Sequence, residues 1–193
     1  MSVDAVRQTI LQRRTIKPMQ YSDRSIDKEI IDDILETARW APTHKLSEPW
    51  RFALFAGAGK QSLGEYMSGW YRDNTPADKF QQQKFDRLLA VPQQAGCAIG
   101  IGMHRDEGER LPEDEEVIAV ACAVQNMQLM ATAHGLGTFW SSGAIAFARE
   151  TADFFGFDQR TRGLGVLFMG YPNCDWPTSE RQPLDDKITW HTS

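Results

Sequence analysis

Apolar residues recur at helical spacing twice near the start of the chain. Val3, Val6 and Ile10 predict a short amphipathic helix over the first dozen residues. Ile26, Ile30, Ile34 and Leu35 predict a second, which Ser25 can cap and Pro42 stops. The polar loop THKLSE follows. In PWRFALFAG the large side chains alternate, the period of a strand, with Trp50, Phe52 and Leu54 on one face. Helical patterns return from about Gly59 to Asp73 and from about Asp78 to Leu89, the latter strongly polar.

AGCAIGIGMH then reads as a strand of small residues ending at His104. After an acidic loop, PEDEEVIAVACAVQNMQLMATAHGLG carries the longest helical pattern. Pro112 and the acidic residues stand where a helix N-terminus favours them, and Gly135 where a C-terminal cap falls. Val117 to Val124 is apolar all round, so burial on most sides is expected. GTFWSSGA is expected to form a loop, FARETADFFG a short helix, and LGVLFMGYP a strand that Pro172 ends. The tail NCDWPTSERQPLDDKITWHTS has no clear period and is expected to extend over the surface. No repeat or linker divides the chain. The order of elements predicts a layered α+β fold in one domain, residues 1–193.

Composition narrows the function. With 193 residues, 41% of them hydrophobic, the chain can build a sizeable core. Its formal net charge of −5 argues against nucleic acid as a partner, because a phosphate backbone calls for a broad excess of Lys and Arg. Cys97, Cys122 and Cys174 form no metal-binding or redox pair, which reads as free thiols in a reduced compartment. The first residues mix Asp, Arg and Gln among apolar positions, unlike a signal peptide, and Val117 to Val124 is too short a run for a membrane span. A soluble cytoplasmic protein, with no membrane partner, is expected.

Against that acidic balance, QRRTIKPM gathers Arg13, Arg14 and Lys17. Two readings are open. The helix macrodipole favours cations in a last turn by about 0.3–1 kcal/mol, which accounts for both arginines as helix-end charges. A small anion-binding site accounts for all three. Other chemistry is poorly supported. His44, His104, His134 and His191 are too scattered for a zinc site, no GxSxG elbow is present, and GLG at Gly135 to Gly137 follows a helix rather than a strand.

RRTIKPM, ARWAPTHKLSEPWRFALF, VACAVQNMQLMATAHGLGTFWSSG, LGVLFMGYP and RQPLDD together resemble the FMN-dependent nitroreductase family, and within it the short bacterial YdjA-like branch. The segments occur in the family's order and leave only about Gly59 to Ala95 unmatched. The resemblance implies a layered α+β sandwich, its central, mostly antiparallel sheet flanked by helices. It implies a homodimer with FMN at the interface and a C-terminal tail extending onto the partner subunit. Arg13, Arg14, Thr15 and Lys17, joined by Arg181, match positions that hold the flavin phosphate; a guanidinium donates paired charge-assisted bonds to such a group. Trp40 and His44 match positions that approach the flavin from the partner subunit. Trp140, Ser141 and Ser142 match the loop that contacts the cofactor, and Met130 to Gly135 a segment associated with the nicotinamide nucleotide.

The activity implied is electron transfer from NADH or NADPH through FMN to a small electron-poor aromatic acceptor, a nitro compound or quinone, by ping-pong kinetics. Flavin N5 takes the hydride, so no catalytic protein nucleophile, base or metal is called for. Two positions depart from the family. Leu46 and Glu48 occupy a loop where many members carry an asparagine, and Ser179 stands where longer relatives have a basic residue. Glu48, if it points inward, disfavours anionic acceptors. The alternative is a flavin-binding protein that stores FMN or senses its redox state without turnover.

Overall fold

The computed structural model describes residues 2–192. Its helices are α1 (Val3–Gln12), α2 (Lys28–Ala38), α3 (Gly59–Asp73), α4 (Gln82–Gln94), α5 (Glu113–Ala133), α6 (Ala144–Phe147) and α7 (Arg149–Phe154). Its strands are β1 (Trp50–Phe55), β2 (Cys97–His104), β3 (Gly137–Ser141) and β4 (Thr161–Gly170). All pairings in the sheet are antiparallel, in the order β1-β2-β4-β3. None of the described helices is long and apolar enough to cross a membrane.

Alternation along β2 builds a layer on each face. Cys97, Ile99, Ile101 and Met103 face one side, where they meet Ile31, Ile34 and Ala38 of α2 and Val120, Val124 and Met127 of α5. Full burial of each such side chain contributes about 1.5–3 kcal/mol. The opposite face carries Ala98, Val166 and Phe168 against Leu63 and Met67 of α3 and Phe155 just past α7. Gly100 makes that approach possible, because a Cβ there would stand 2.8 Å from the Phe155 ring. In β4 the parity slips at Gly165, where φ is +136° and the β2 register shifts, so Leu164 and Leu167 both face the α2–α5 layer.

Several expectations are corrected. Asp27, not Ser25, occupies the N-cap of α2. The polar helix expected over Asp78 to Leu89 runs instead from Gln82 to Gln94, with Pro92 in its last turn. The short helix expected over FARETADFFG is confined to Arg149–Phe154, because Ala148 separates it from α6, which begins upstream at Ala144. Only one face of α5 is fully buried; Ile118 is 61% exposed despite its apolar surroundings in sequence. GTFWSSGA is not a loop, since Gly137–Ser141 forms β3 and pairs with β4. Thr138, Phe139 and Trp140 are strand formers, but the run is only three residues long between Gly and Ser; the ladder with β4 supplies the order.

Candidate functional site

The site is built on β3, an edge strand. Helix α5 ends in a Schellman turn: Gly135, at φ +75°, donates to Thr132 O at 3.0 Å, and Leu136 donates to Ala131 O at 2.8 Å. This turn launches β3 immediately. Gly137, where a Cβ would stand 2.8 Å from Ile16, lets the segment after α1 lie alongside. That segment forms a parallel bridge between Thr15 and Thr138, and the Ile16 N–H donates to Thr138 O at 3.0 Å.

Because Thr138 O accepts a bond on the side away from β4, antiparallel geometry directs the Trp140 N–H and C=O to that same outer edge. An edge of this kind offers backbone donors and acceptors to whatever lies along it. At about 3.3 Å per residue, Thr138 and Ser141 are ~10 Å apart along the strand. Two buried polar atoms here have no partner: Thr138 Oγ1 and the indole Nε1 of Trp140.

Cations gather at the Thr138 end. Arg13 leaves α1 in extended backbone, ahead of Arg14, Thr15 and the exposed Lys17. The tail returns to the same place: Trp176 Nε1 donates to Gln12 O at 2.6 Å, and Arg14 Nε donates to Pro177 O at 2.9 Å. Arg14 Nη1 also donates to the carbonyls of Leu11 and Arg13, at 2.6 and 2.8 Å, which leaves its second amino group uncommitted. Arg181 is steered by Ser179 Oγ and by the Glu180 carbonyl. Partial burial, followed by the like charges of Arg181 and Arg14, pushes the Arg13 guanidinium below its ordinary pKa. No carboxylate lies within 4.0 Å of Arg13, Arg14, Lys17 or Arg181 among the described residues.

At the far end of β3, Ser141, Gly143 and Ala144 form part of the wall of a cavity of about 520 Å³ between α3, α4 and α6. Ser142 is exposed just beyond the strand. The edge therefore joins an anion-seeking end to an open end near a cavity, a layout suited to an elongated ligand with one charged terminus.

Trp40 and His44 are elsewhere within one chain. Trp40, 76% exposed, borders a groove with Val6 and Ile10 of α1 and Met130 of α5, and its indole donates to Glu36 at 3.2 Å. His44 Nδ1 lies 2.6 Å from Glu115 Oε2 at the start of α5. The loop between them and β1 is strained: Lys45, Leu46 and Glu48 all have positive φ, at 53°, 52° and 43°. Such conformations cost about 1–3 kcal/mol each in non-glycine residues and cluster at functional sites. Sequence reasoning overlooked Thr138, Trp176 and Pro177, because the bridge and the tail clamp join residues remote in the chain.

Residues 10–171 match the model of the Nitroreductase family, and the chain belongs to that family. Two curated relatives and one solved structure, each named a putative nitroreductase, are similar over most of their length. YfhC of Bacillus subtilis (strain 168), named for NAD(P)H, is 31% identical over 188 residues, 95% of this chain and 93% of its own. YdjA of Escherichia coli (strain K12), also named for NAD(P)H, is 28% identical over 155 residues, 80% of this chain and 82% of its own, in line with the branch resemblance. The Desulfovibrio desulfuricans structure, solved in complex with FMN, is 25% identical, with a TM-score of 0.75 and 97% of each chain covered. A nitroreductase-like protein from Bacillus cereus shares the fold at a TM-score of 0.84, with 24% identity, covering 100% of this chain and 99% of its own.

Proposed function

We infer that this chain is a single FMN-binding domain, residues 1–193, acting as an NAD(P)H-dependent oxidoreductase of the nitroreductase type. The observation that carries the reading is the edge of β3, with cations that lack a carboxylate partner among the described residues at its Thr138 end and Ser141 at the other, ~10 Å along the strand. FMN fits that layout. Arg13, Arg14, Lys17 and Arg181 would hold its phosphate, with the Thr15 hydroxyl as a further donor. The orphaned Thr138 Oγ1 and the outward N–H and C=O of Trp140 would meet its polar atoms farther along. Ser141 and Ser142 would flank the ring.

When bound, FMN supplies two-electron chemistry between NAD(P)H and an electron-poor acceptor such as a nitroaromatic or quinone. The protein's own part is to anchor, orient and leave one face accessible, so donor and acceptor take turns and ping-pong kinetics are expected. No side chain is assigned as nucleophile or base.

A homodimer completes the reading. The apolar side of α1, with Val3, Val6, Ile10 and Leu11, is exposed, as are Trp40 and, in the tail, Leu184, Ile188 and Trp190. Val6 and Ile10 adjoin Trp40 along one groove, and an exposed apolar surface of that kind favours burial against another protein surface. Trp40 and His44, remote from the cations of their own chain, would then serve the partner's flavin, and the tail beyond its clamp would lie on the partner subunit. The departure of Leu46 and Glu48 from a loop where many family members carry an asparagine motivates a second reading, a flavin-binding protein without turnover.

The test is the visible spectrum of freshly purified protein, then its bleaching by NADH or NADPH without oxygen. Protein that neither carries nor takes up FMN overturns the assignment. FMN that stays oxidised with both donors removes the oxidoreductase activity and leaves the second reading. A monomer in gel filtration removes the shared site.

A further inference from the structure

The cavity between α3, α4 and α6 has two chemically distinct parts. Leu63, Met67, Phe155 and Val166 give it an apolar floor, while Lys79, Lys84 and Arg87 stand at its polar side, and no carboxylate belongs to its wall. A volume of about 520 Å³ suits a small organic ligand. Lys84 Nζ lies 4.5 Å over the ring of Tyr71, itself part of the wall. Asp86, on the same helix as Lys84 and Arg87, accepts from Gln82 at 2.8 Å and lies outside the wall. Among the described residues, none of the three cations has a carboxylate within 4.0 Å.

A second observation points to a ligand. Trp70 also belongs to this wall, and its buried indole N–H has no partner. Buried donors are normally satisfied, and this one, closed off from solvent, meets a ligand oxygen only if the cavity wall shifts on binding. In a chain of net charge −5, three unopposed cations beside an apolar floor favour a ligand that is apolar in body and anionic at one end.

We propose that this cavity selects the electron acceptor, and that Lys79, Lys84 and Arg87 set a preference for planar aromatic acceptors bearing a carboxylate. The proposal rests on the oxidoreductase reading and specifies the substrate class of that site. The apolar floor takes the ring and the cations take the carboxylate. The reducible group is left for the side formed by Ser141, Gly143 and Ala144, where the cavity meets the end of β3. Within its own chain Glu48 is exposed and lies outside the wall of this cavity. For a nitro acceptor the first reduction balances as NAD(P)H, one proton and the nitroarene giving NAD(P)⁺, the nitrosoarene and water.

The test is calorimetric titration of the oxidised holoprotein, without NAD(P)H, using 4-nitrobenzoate and the uncharged 4-nitrobenzamide. The carboxylate compound is expected to bind at least roughly tenfold tighter, a preference that shrinks as salt is raised. In the Lys84→Gln, Arg87→Gln double variant the ratio of affinities should fall toward one, and Lys79→Gln alone should lower it in part. All three side chains are at the surface, so matched melting curves confirm that the variants are folded. The KM ratio of the two compounds in steady-state turnover should move in parallel. Equal affinities in the unaltered protein overturn the proposal. So does an intact preference in the double variant, including the case in which that variant loses NADPH affinity instead, which would assign the cations to the donor nucleotide. Failure of the oxidoreductase reading shows separately, as FMN that neither donor bleaches, while the titration stays interpretable.

Discussion

Two groups of cations in this protein are wired in opposite ways. Around the turn between β2 and α5, Arg105 pairs with the buried Glu116, Arg110 with Asp106 at 2.5 Å, and Arg162 with Glu113 at 2.8 Å. Around the end of α1, Arg13, Arg14, Lys17 and Arg181 have no such partners among the described residues, and Arg14 is fixed by carbonyls instead. Carbonyls orient a guanidinium without cancelling its charge. The first group is thus spent on holding a loop, whereas the second keeps a concentrated positive charge that only an added anion can relieve.

The contrast is broken most severely at Glu116. Glu116→Ala strands the charge of Arg105 and removes the acceptor of the Asp106 N–H, so a loss of about 3–5 kcal/mol is expected in urea unfolding. A variant as stable as the parent would show that this pair contributes nothing to the fold.

The unpaired group should respond the other way. In Arg13→Ala together with Arg14→Ala, charge-assisted contacts worth about 1.5–3 kcal/mol each are lost. FMN affinity, followed by flavin fluorescence, should fall by more than roughly tenfold. Arg13→Ala alone, free of FMN, should melt no lower than the parent, because it relieves repulsion with Arg14 and Arg181. A clear drop would make Arg13 a structural residue.

A smaller effect is expected where β4 supports the far end of β3. A Cβ at Gly165 would stand 2.4 Å from Trp140 Nε1 and 2.7 Å from Ser141 O, on backbone at φ +136°. Gly165→Ala should therefore cost about 1–3 kcal/mol and weaken FMN binding through displaced Trp140 and Ser141. Unchanged stability and affinity would show that β3 does not position the ring.

The smallest effect is one of pH. Hydrogen bonds from the Arg110 side chain and backbone hold the Asp106 carboxyl well below its ordinary pKa of 3.8. A depressed carboxylate contributes stability that is present above the ordinary pKa and lost as pH falls below it. Asp106→Asn should accordingly flatten the acid side of the melting profile. An unaltered profile would remove Asp106 from the acid response.

Much of this was legible in the sequence where one element's own pattern decides it. The periods of α1, α3 and α5 and the alternation of β1 were sufficient for those elements, because each gathers its apolar residues by its own spacing, although the apolar side of α1 stays exposed in the single chain. β3 was missed, since its strand-forming run of Thr138, Phe139 and Trp140 is short and bounded by Gly and Ser, and its extent is set by pairing with β4. The cation group was partly legible: Arg13, Arg14 and Lys17 are neighbours in sequence, whereas Arg181 reaches Arg13 only because Trp176 and Pro177 anchor the tail. Likeness to the family singled out Trp40 and His44, and nothing in one chain brings them to the β3 edge.

By itself, then, the sequence determined the class of fold and the family, and it placed Arg13, Arg14 and Lys17 together, all properties carried by local period and by residues close in the chain. Tertiary structure decided that β3 is an edge with free backbone groups, that the tail joins the cations, and that Lys79, Lys84 and Arg87 border an apolar cavity. Those facts depend on which surfaces meet, and distant pairings such as Thr15 with Thr138 leave no period in the sequence from which to read them.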